Sequence, residues 1–328
     1  MRIVMLALLA RGARALSAVP AAARRLQKIK ELESKHASLV ASGAKPAVIR
    51  NARKELGRLK RTSPPVDGVE SCVATFYGFF AVEEPSAVVA RLRQALEADG
   101  LVLGSVSVAS EGYNGALAVP VERRAQLAQT LSKAAPELWP TEQDAITALN
   151  WDAQPTRSSP FHRLLVKEKK RALVDGFDEP LDWDDCGDEV APEAWHDEIA
   201  APGATVLDVR NTYESDAGTF AGAVPLNTST FVESWPKLDE ALADRPRDEP
   251  VHMFCTGGVR CVKAGAYVKQ KLGFTDVRRL EHGVVAYERW AAGSGESRFE
   301  GENFVFDKRV DAASPMSDAD LLEARPPS

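Results

Sequence analysis

Cysteine is scarce: the chain has four in 328 residues, and no two of them form a C-x-x-C pair. That excludes a disulfide scaffold and a zinc-finger framework. The five histidines (His36, His162, His196, His252 and His282) fall at no metal-ligand spacing, so no metal site is expected. Long apolar runs are missing too. The longest covers residues 3–10, whereas a spanning helix needs about 20 residues, so no membrane insertion is expected. No Walker loop, dinucleotide fingerprint or flavin motif is present. Acidic residues are absent before Glu31.

What is there is divided by charge. Residues 1–65 hold 15 Lys+Arg against 3 Asp+Glu, while the whole chain is at −6, so a basic arm of +12 precedes a body of −18. The arm begins Arg-rich, Ala-rich and acid-free, as organelle transit peptides do, which points to a chloroplast or a mitochondrion. Without such an address the protein would be cytoplasmic. Residues 28–60 are basic with helical spacing, fit for targeting and an RNA-affine or partner-binding helix, or simply a solvated one. The run TSPP at 62–65 is a linker.

The body divides into two α/β units. In the first, over 70–174, residues 72–80 (CVATFYGFF) read as a strand and Pro85 opens a helix that Gly100 stops. A second strand spans 101–109. The EGYNG run at 111–115 reads as a hairpin turn on its Asn-Gly pair, and 116–119 as the third strand. Glu111 and Asn114 are therefore turn residues or site residues. A helix over 121–135 and a fourth strand over 161–167 (FHRLLVK) complete β-α-β-β-α-β, the ferredoxin-like plait. The acidic stretch 175–190 reads as a linker. In the second unit, over 191–295, strands at 204–209, 250–254 and 277–280 and a helix over 261–272 imply a parallel sheet with ligands at the strands' C-terminal ends. Residues 296–328 form a tail.

That placement singles out Cys255-Thr256-Gly257-Gly258-Val259-Arg260-Cys261. A strand ends in Cys255, two glycines free the backbone to turn N–H groups inward, and a helix starts at the loop's far side. Each feature favours a thiolate on Cys255, and Arg260 adds a fixed positive charge. A thiolate ringed by donors suits nucleophilic attack with the anionic intermediate held by the ring. Cys261 could resolve a disulfide or persulfide with Cys255, or be a small core residue of the helix. Asp208 and Arg210, at the neighbouring strand end, fit an ion pair bracing the loop. Arg163, Lys167, Lys169, Lys170 and Arg171 form a basic strand end in an acidic body, as phosphate contacts require.

The loop resembles the active-site loop of the rhodanese superfamily. LDVR at 207–210 with Glu214, the GTFAGA turn at 218–223 and LEHG at 280–283 resemble that superfamily's other signatures, although His282 stands where a glycine is usual. The six residues from Cys255 to Arg260 match sulfurtransferase loops, where the related phosphatases have seven. A narrower resemblance spans residues 72–310. FYGFF at 76–80, EGYNG, FHRLLVK, NTYE at 211–214, the Cys255 loop and NFVFDKRV at 303–310 occur in the order found in the tRNA uridine hydroxylase family.

That resemblance implies a ferredoxin-like (acylphosphatase-like) domain followed by a rhodanese-like parallel-sheet α/β domain. It also implies oxygen-dependent 5-hydroxylation of the wobble uridine of tRNA. Molecular oxygen would be the co-substrate, the anticodon loop the partner, Cys255 the essential thiol, and a sulfur or electron donor a further partner. Arg260 would hold the substrate anion or close the loop. No resident cofactor is identified. The cysteine cluster that many relatives carry after the FVFD motif is missing here. The alternatives are a sulfurtransferase moving sulfane sulfur through Cys255, and a non-catalytic sulfur carrier or scaffold.

Overall fold

The computed structural model describes residues 69–157, 159–161 and 163–304 and, within the basic arm, 31–32, 34–42 and 48. Residues 31–32 and 34–41 are helical, inside the stretch whose spacing predicts a helix. The rest of the arm, His162, and most of the 303–310 motif with the tail after it lie outside the described residues.

The first domain starts with strand β1 (Ser71–Phe79). Its side chains alternate: Ala74 and Phe76 enter the core, while Thr75 and Tyr77 face the other way. Helix α1 (Pro85–Asp99) has Pro85 in its first turn, and Gly100 ends it at φ 70°. It buries Val88, Val89, Leu92 and Leu96. Strands β2 (Leu103–Ala109) and β3 (Gly112–Pro120) form a hairpin, and helix α2 (Arg124–Ala134) lays Leu127 and Leu131 beside α1. Helix α3 (Glu142–Ala148), strand β4 (Asn150–Trp151) and strand β5 (Leu164–Glu168) complete the domain. The sheet order is β4-β1-β3-β2-β5.

Two expectations fail here. The hairpin turn is Ser110-Glu111, closed by the pair Ala109↔Gly112, not Asn114-Gly115. Gly112 supplies the backbone freedom at φ +135°, where an added Cβ would sit 2.0 Å from the Gly78 carbonyl oxygen. Gly115 is small for another reason, since a Cβ there would meet the Phe76 ring at 2.7 Å. Asn-Gly is a local turn preference, and strand pairing on both sides overrides it: Asn114 lies between Tyr77 and Ser107. The second correction concerns the fourth strand of the plait, which is the short β4 beside β1. The FHRLLVK segment supplies β5, a fifth strand running parallel to β2 at the opposite edge.

The second domain is a parallel sheet, β6-β11-β10-β7-β9, made of β6 (Asp188–Val190), β7 (Thr205–Asp208), β9 (Val224–Pro225), β10 (Val251–Phe254) and β11 (Val277–Leu280). Leu207 and Met253 pack under helices α6 (Ser234–Leu242) and α7 (Val259–Gln270). On the opposite face Val206 and Phe254 pack with Trp195 of α4 (Pro192–Glu198) and Tyr287 of α8 (Gly283–Ser294). Helix α5 (Thr212–Ala217) and strand β8 (Gly218–Phe220) follow β7. Residues 188–190 therefore belong to this sheet and not to the linker. The first part of the expected tail is also integrated, because β12 (Phe299–Gly301) pairs with β8.

The domains meet across the face of the first sheet that carries Thr75 and Tyr77. Asn150 donates through Nδ2 to the His282 carbonyl at 2.8 Å, and Arg289 of α8 donates to Asn150 Oδ1 at 2.9 Å. Lys263 of α7 reaches Glu111 of the β2–β3 turn at 2.9 Å.

Candidate active site

The loop from Cys255 to Arg260 connects β10 to α7 and is held from three sides. From α8, Val284 and Val285 donate backbone N–H groups to the carbonyls of Cys255 and Thr256, at 3.0 and 3.1 Å. Gly283 makes that approach possible: its φ is +66°, and a Cβ would lie 2.4 Å from the Cys255 carbonyl oxygen. His282 before it also has a left-handed φ, of 54°, which explains why glycine is usual at that position. From the first domain, Tyr77 covers Gly258, whose added Cβ would lie 2.5 Å from the Tyr77 hydroxyl.

The third support is an ion pair. Arg260 grips Glu214 through both terminal nitrogens, at 2.6 and 2.7 Å, and touches the Thr256 hydroxyl at 3.0 Å. Thr256 in turn donates to Glu214 at 2.6 Å. Burial raises the Glu214 carboxyl, but the Arg260 charge and the converging hydrogen bonds win, and it is held below its ordinary value. Burial likewise opposes the Arg260 charge, and Glu214 reverses that, holding it above its ordinary value. Of the two expected roles for Arg260, this geometry gives loop closure, because the fork is filled by Glu214.

Asp208 and Arg210 do form an ion pair, with Nε and Nη2 of Arg210 at 2.8 and 2.6 Å from the carboxylate. It does not brace the loop. Arg210 also donates to the Gly218 carbonyl, and Thr219 donates to Asp208 at 2.8 Å, so the pair ties β7 to β8.

Inside the loop, Cys255 has no exposed surface. Its sulfur accepts the Gly258 backbone N–H at 3.2 Å. Burial alone would raise the thiol. The neighbouring Cys261 thiol, the Arg260 charge and the backbone N–H groups of Cys261 and Arg260 outweigh burial, and the value falls to about 6. At neutral pH the thiolate is then the favoured form of Cys255. Cys261 moves the opposite way: burial and the neighbouring Cys255 hold its thiol well above the ordinary value. Cys261 is thus a buried residue on the core side of the helix, and its neighbouring thiol favours the charged form of Cys255. Among the described residues, no group of His, Cys, Asp or Glu could hold a metal ion.

A cleft of about 340 Å³ lies between the loop and the first sheet. Thr256, Gly257, Val259 and Arg260 line one wall, and Thr75, Tyr77, Ser107 and Asn114 the other. Sequence reasoning missed Thr75, Tyr77 and Ser107. Their alternation with core residues signals a half-buried strand, whose outer face by default meets water. Of the expected basic cluster, Arg163, Lys167, Lys169 and Lys170 are exposed on or beside β5. Arg171 is not available for phosphate, because it sits at the domain junction bonded to the Phe177 carbonyl at 2.9 Å and paired with Glu111 at 3.4 Å.

Residues 71–172 match the family described as the UPF0176 acylphosphatase-like domain, and residues 191–289 match the rhodanese-like domain. Over 248 residues the chain is 35% identical to the tRNA uridine(34) hydroxylase of Mesorhizobium japonicum, covering 76% of each protein. It is 37% identical over 240 residues to that of Jannaschia sp., covering 73% of this chain and 74% of the relative. It is 34% identical over 251 residues to that of Deinococcus radiodurans, covering 76% and 78%. The chain belongs to the tRNA uridine(34) hydroxylase family.

Proposed function

We propose that this protein hydroxylates C5 of uridine 34, the wobble position, in tRNA. The observation that carries the reading is the two-sided site: a Cys255 thiolate is enclosed in a loop whose outer wall faces a cleft of about 340 Å³, roomy enough for a base, that is roofed by the other domain. A simple sulfurtransferase needs no such roof. An anticodon loop presents unstacked bases to a site of this kind.

The reaction replaces C5–H with C5–OH. Dioxygen supplies the oxygen atom, a separate two-electron donor reduces the second oxygen to water, and two protons complete the balance. Arg260 and Glu214 fix the loop, and Cys261 keeps the Cys255 sulfur anionic.

A second reading has its own support. The ring of N–H and S–H donors around Cys255 Sγ would equally hold an anionic persulfide, which favours sulfur carriage by the same residue. For the basic arm we propose an organellar address, to be tested by fusing residues 1–65 to a fluorescent protein.

The full chain is expressed in a bacterial strain that lacks wobble-uridine hydroxylation, beside a Cys255→Ala variant. The tRNA is digested and its nucleosides analysed by mass spectrometry. 5-Hydroxyuridine-type nucleosides restored by the wild type and not by the variant are the expected result. Well-folded wild type that yields no such product, together with cyanide-labile sulfur on Cys255, would replace hydroxylation with sulfur transfer.

A further inference from the structure

The cleft's second wall has an order that the sequence hides. In register, Tyr77 of β1 pairs with Asn114 of β3, Asn114 with Ser107 of β2, and Ser107 with Lys167 of β5. Paired residues share a face of the sheet, so the four stand in one row across four strands. Tyr77 begins the row against Gly258 of the Cys255 loop. Lys167 ends it three strand spacings away, about 14 Å, exposed at the sheet edge. The other face of the same strands is apolar, with Phe76, Val106, Val108 and Leu117 in the core. A carboxamide, a hydroxyl and a phenol facing a covered cleft are not what sheet packing alone requires.

The chemistry of the row suits a base edge and a phosphate. The Asn114 carboxamide carries a donor and an acceptor side by side. With Nδ2 toward O4 and Oδ1 toward N3–H it matches the Watson–Crick edge of uracil; turned over it would match cytosine, so discrimination lies in the orientation of the amide. Phe161 lines the same cleft and offers a ring for a base to stack on. Lys167 is not neutralised by the acidic residue next to it, because Glu168 accepts a hydrogen bond from Ser86 of α1 on the opposite face.

We propose that this row reads the substrate RNA: Asn114 is the specificity-determining contact to the uracil edge, and Lys167 receives a flanking phosphate. The proposal rests on the tRNA reading of the cleft and adds which residues recognise the base and the backbone. It assigns base choice to the first domain and leaves the reactive thiolate to the second.

The test measures fluorescence anisotropy of anticodon stem–loop RNAs carrying U34 or C34 against the full chain. It covers roughly 50 to 200 mM salt, with tRNA hydroxylation by the wild type followed in parallel. Wild type is expected to prefer the U34 loop. Asn114→Asp removes the donor to O4 and leaves a carboxylate that accepts from the cytosine N4 amino group, so the U34-over-C34 affinity ratio should fall about tenfold or more. Asn114→Gln keeps the carboxamide and should retain part of the preference. Lys167→Ala, at an exposed position, should weaken both loops alike and lower the salt slope by about one. If wild type hydroxylates tRNA but natively folded Asn114→Asp keeps the U34 preference, the assignment of Asn114 is wrong. An unchanged salt slope in Lys167→Ala removes the phosphate contact. If wild type neither binds nor hydroxylates, the tRNA reading itself falls, and this inference with it.

Discussion

Replacing Cys261 by alanine tests what keeps Cys255 charged. The Cys261 thiol is foremost among the contacts that lower Cys255 to about 6 against the pull of burial. A hydrogen bond to a charged group contributes about 1.5–3 kcal/mol, and one pKa unit corresponds to about 1.4 kcal/mol. Cys261→Ala should therefore raise Cys255 by about one to two units, to between about 7 and 8. At pH 6.5 the thiolate fraction should fall from roughly three quarters to roughly a tenth or less for a shift of about 1.5 units. Thiolate absorbance near 240 nm, titrated against pH with Cys255→Ala subtracted, reads this directly. Cys261→Ser keeps a donor at nearly the same volume and should stay within half a unit of wild type. A Cys261→Ala protein that is natively folded and still titrates at about 6 would refute the assignment. The serine variant also separates the two roles of Cys261. If it holds the pKa but abolishes tRNA hydroxylation, the sulfur of Cys261 acts covalently, as a resolving thiol would.

Glu214→Gln should be among the most destabilising single changes in the second domain. Removing one partner of a buried pair leaves the Arg260 charge uncompensated, at about 3–5 kcal/mol, which a lowered denaturant midpoint with unchanged slope would report. The Cys255 thiolate also links stability to pH. Its folded value lies below the unfolded one, so its contribution is present in full above about 8.5 and is lost as pH falls through about 6. The stability difference between wild type and Cys255→Ala should therefore grow from pH 6 to pH 9. A difference that stays flat over that interval would contradict the lowered pKa.

The second domain was the more legible from sequence. Its strands are short continuous apolar runs, and the Cys255 loop compresses glycines, an arginine and a helix start into seven residues. Such signals are local, so they survive in one dimension. What misled in the first domain was also local. Asn114-Gly115 carries the strongest short hairpin preference, yet Gly115 is small because the Phe76 ring crosses over it. The basic run at 163–171 looked uniform, but the fold divides it: Lys167 faces outward and Arg171 is drawn into the domain junction. The pairing of Arg260 with Glu214 spans 46 residues, and no spacing rule distinguishes it from Arg260 with Asp208.

The least legible feature was that the site belongs to both domains at once, and Lys263 shows what holds it so. Its ammonium is fully buried in α7, two residues beyond Cys261, and ion-paired to Glu111 of the first domain and Asp175 of the connecting segment. The Phe79 and Trp183 rings lie 5.2 and 5.1 Å from it. A buried ammonium is tolerated only with its counter-charges in place. Separating the domains would strip one carboxylate from it and open a second face to water. The helix that presents the Cys255 loop is therefore fixed relative to the sheet that carries Asn114. The thiolate and the base-reading row keep their spacing through a contact made by neither, and isolated domains would lose that registration even where each stayed folded.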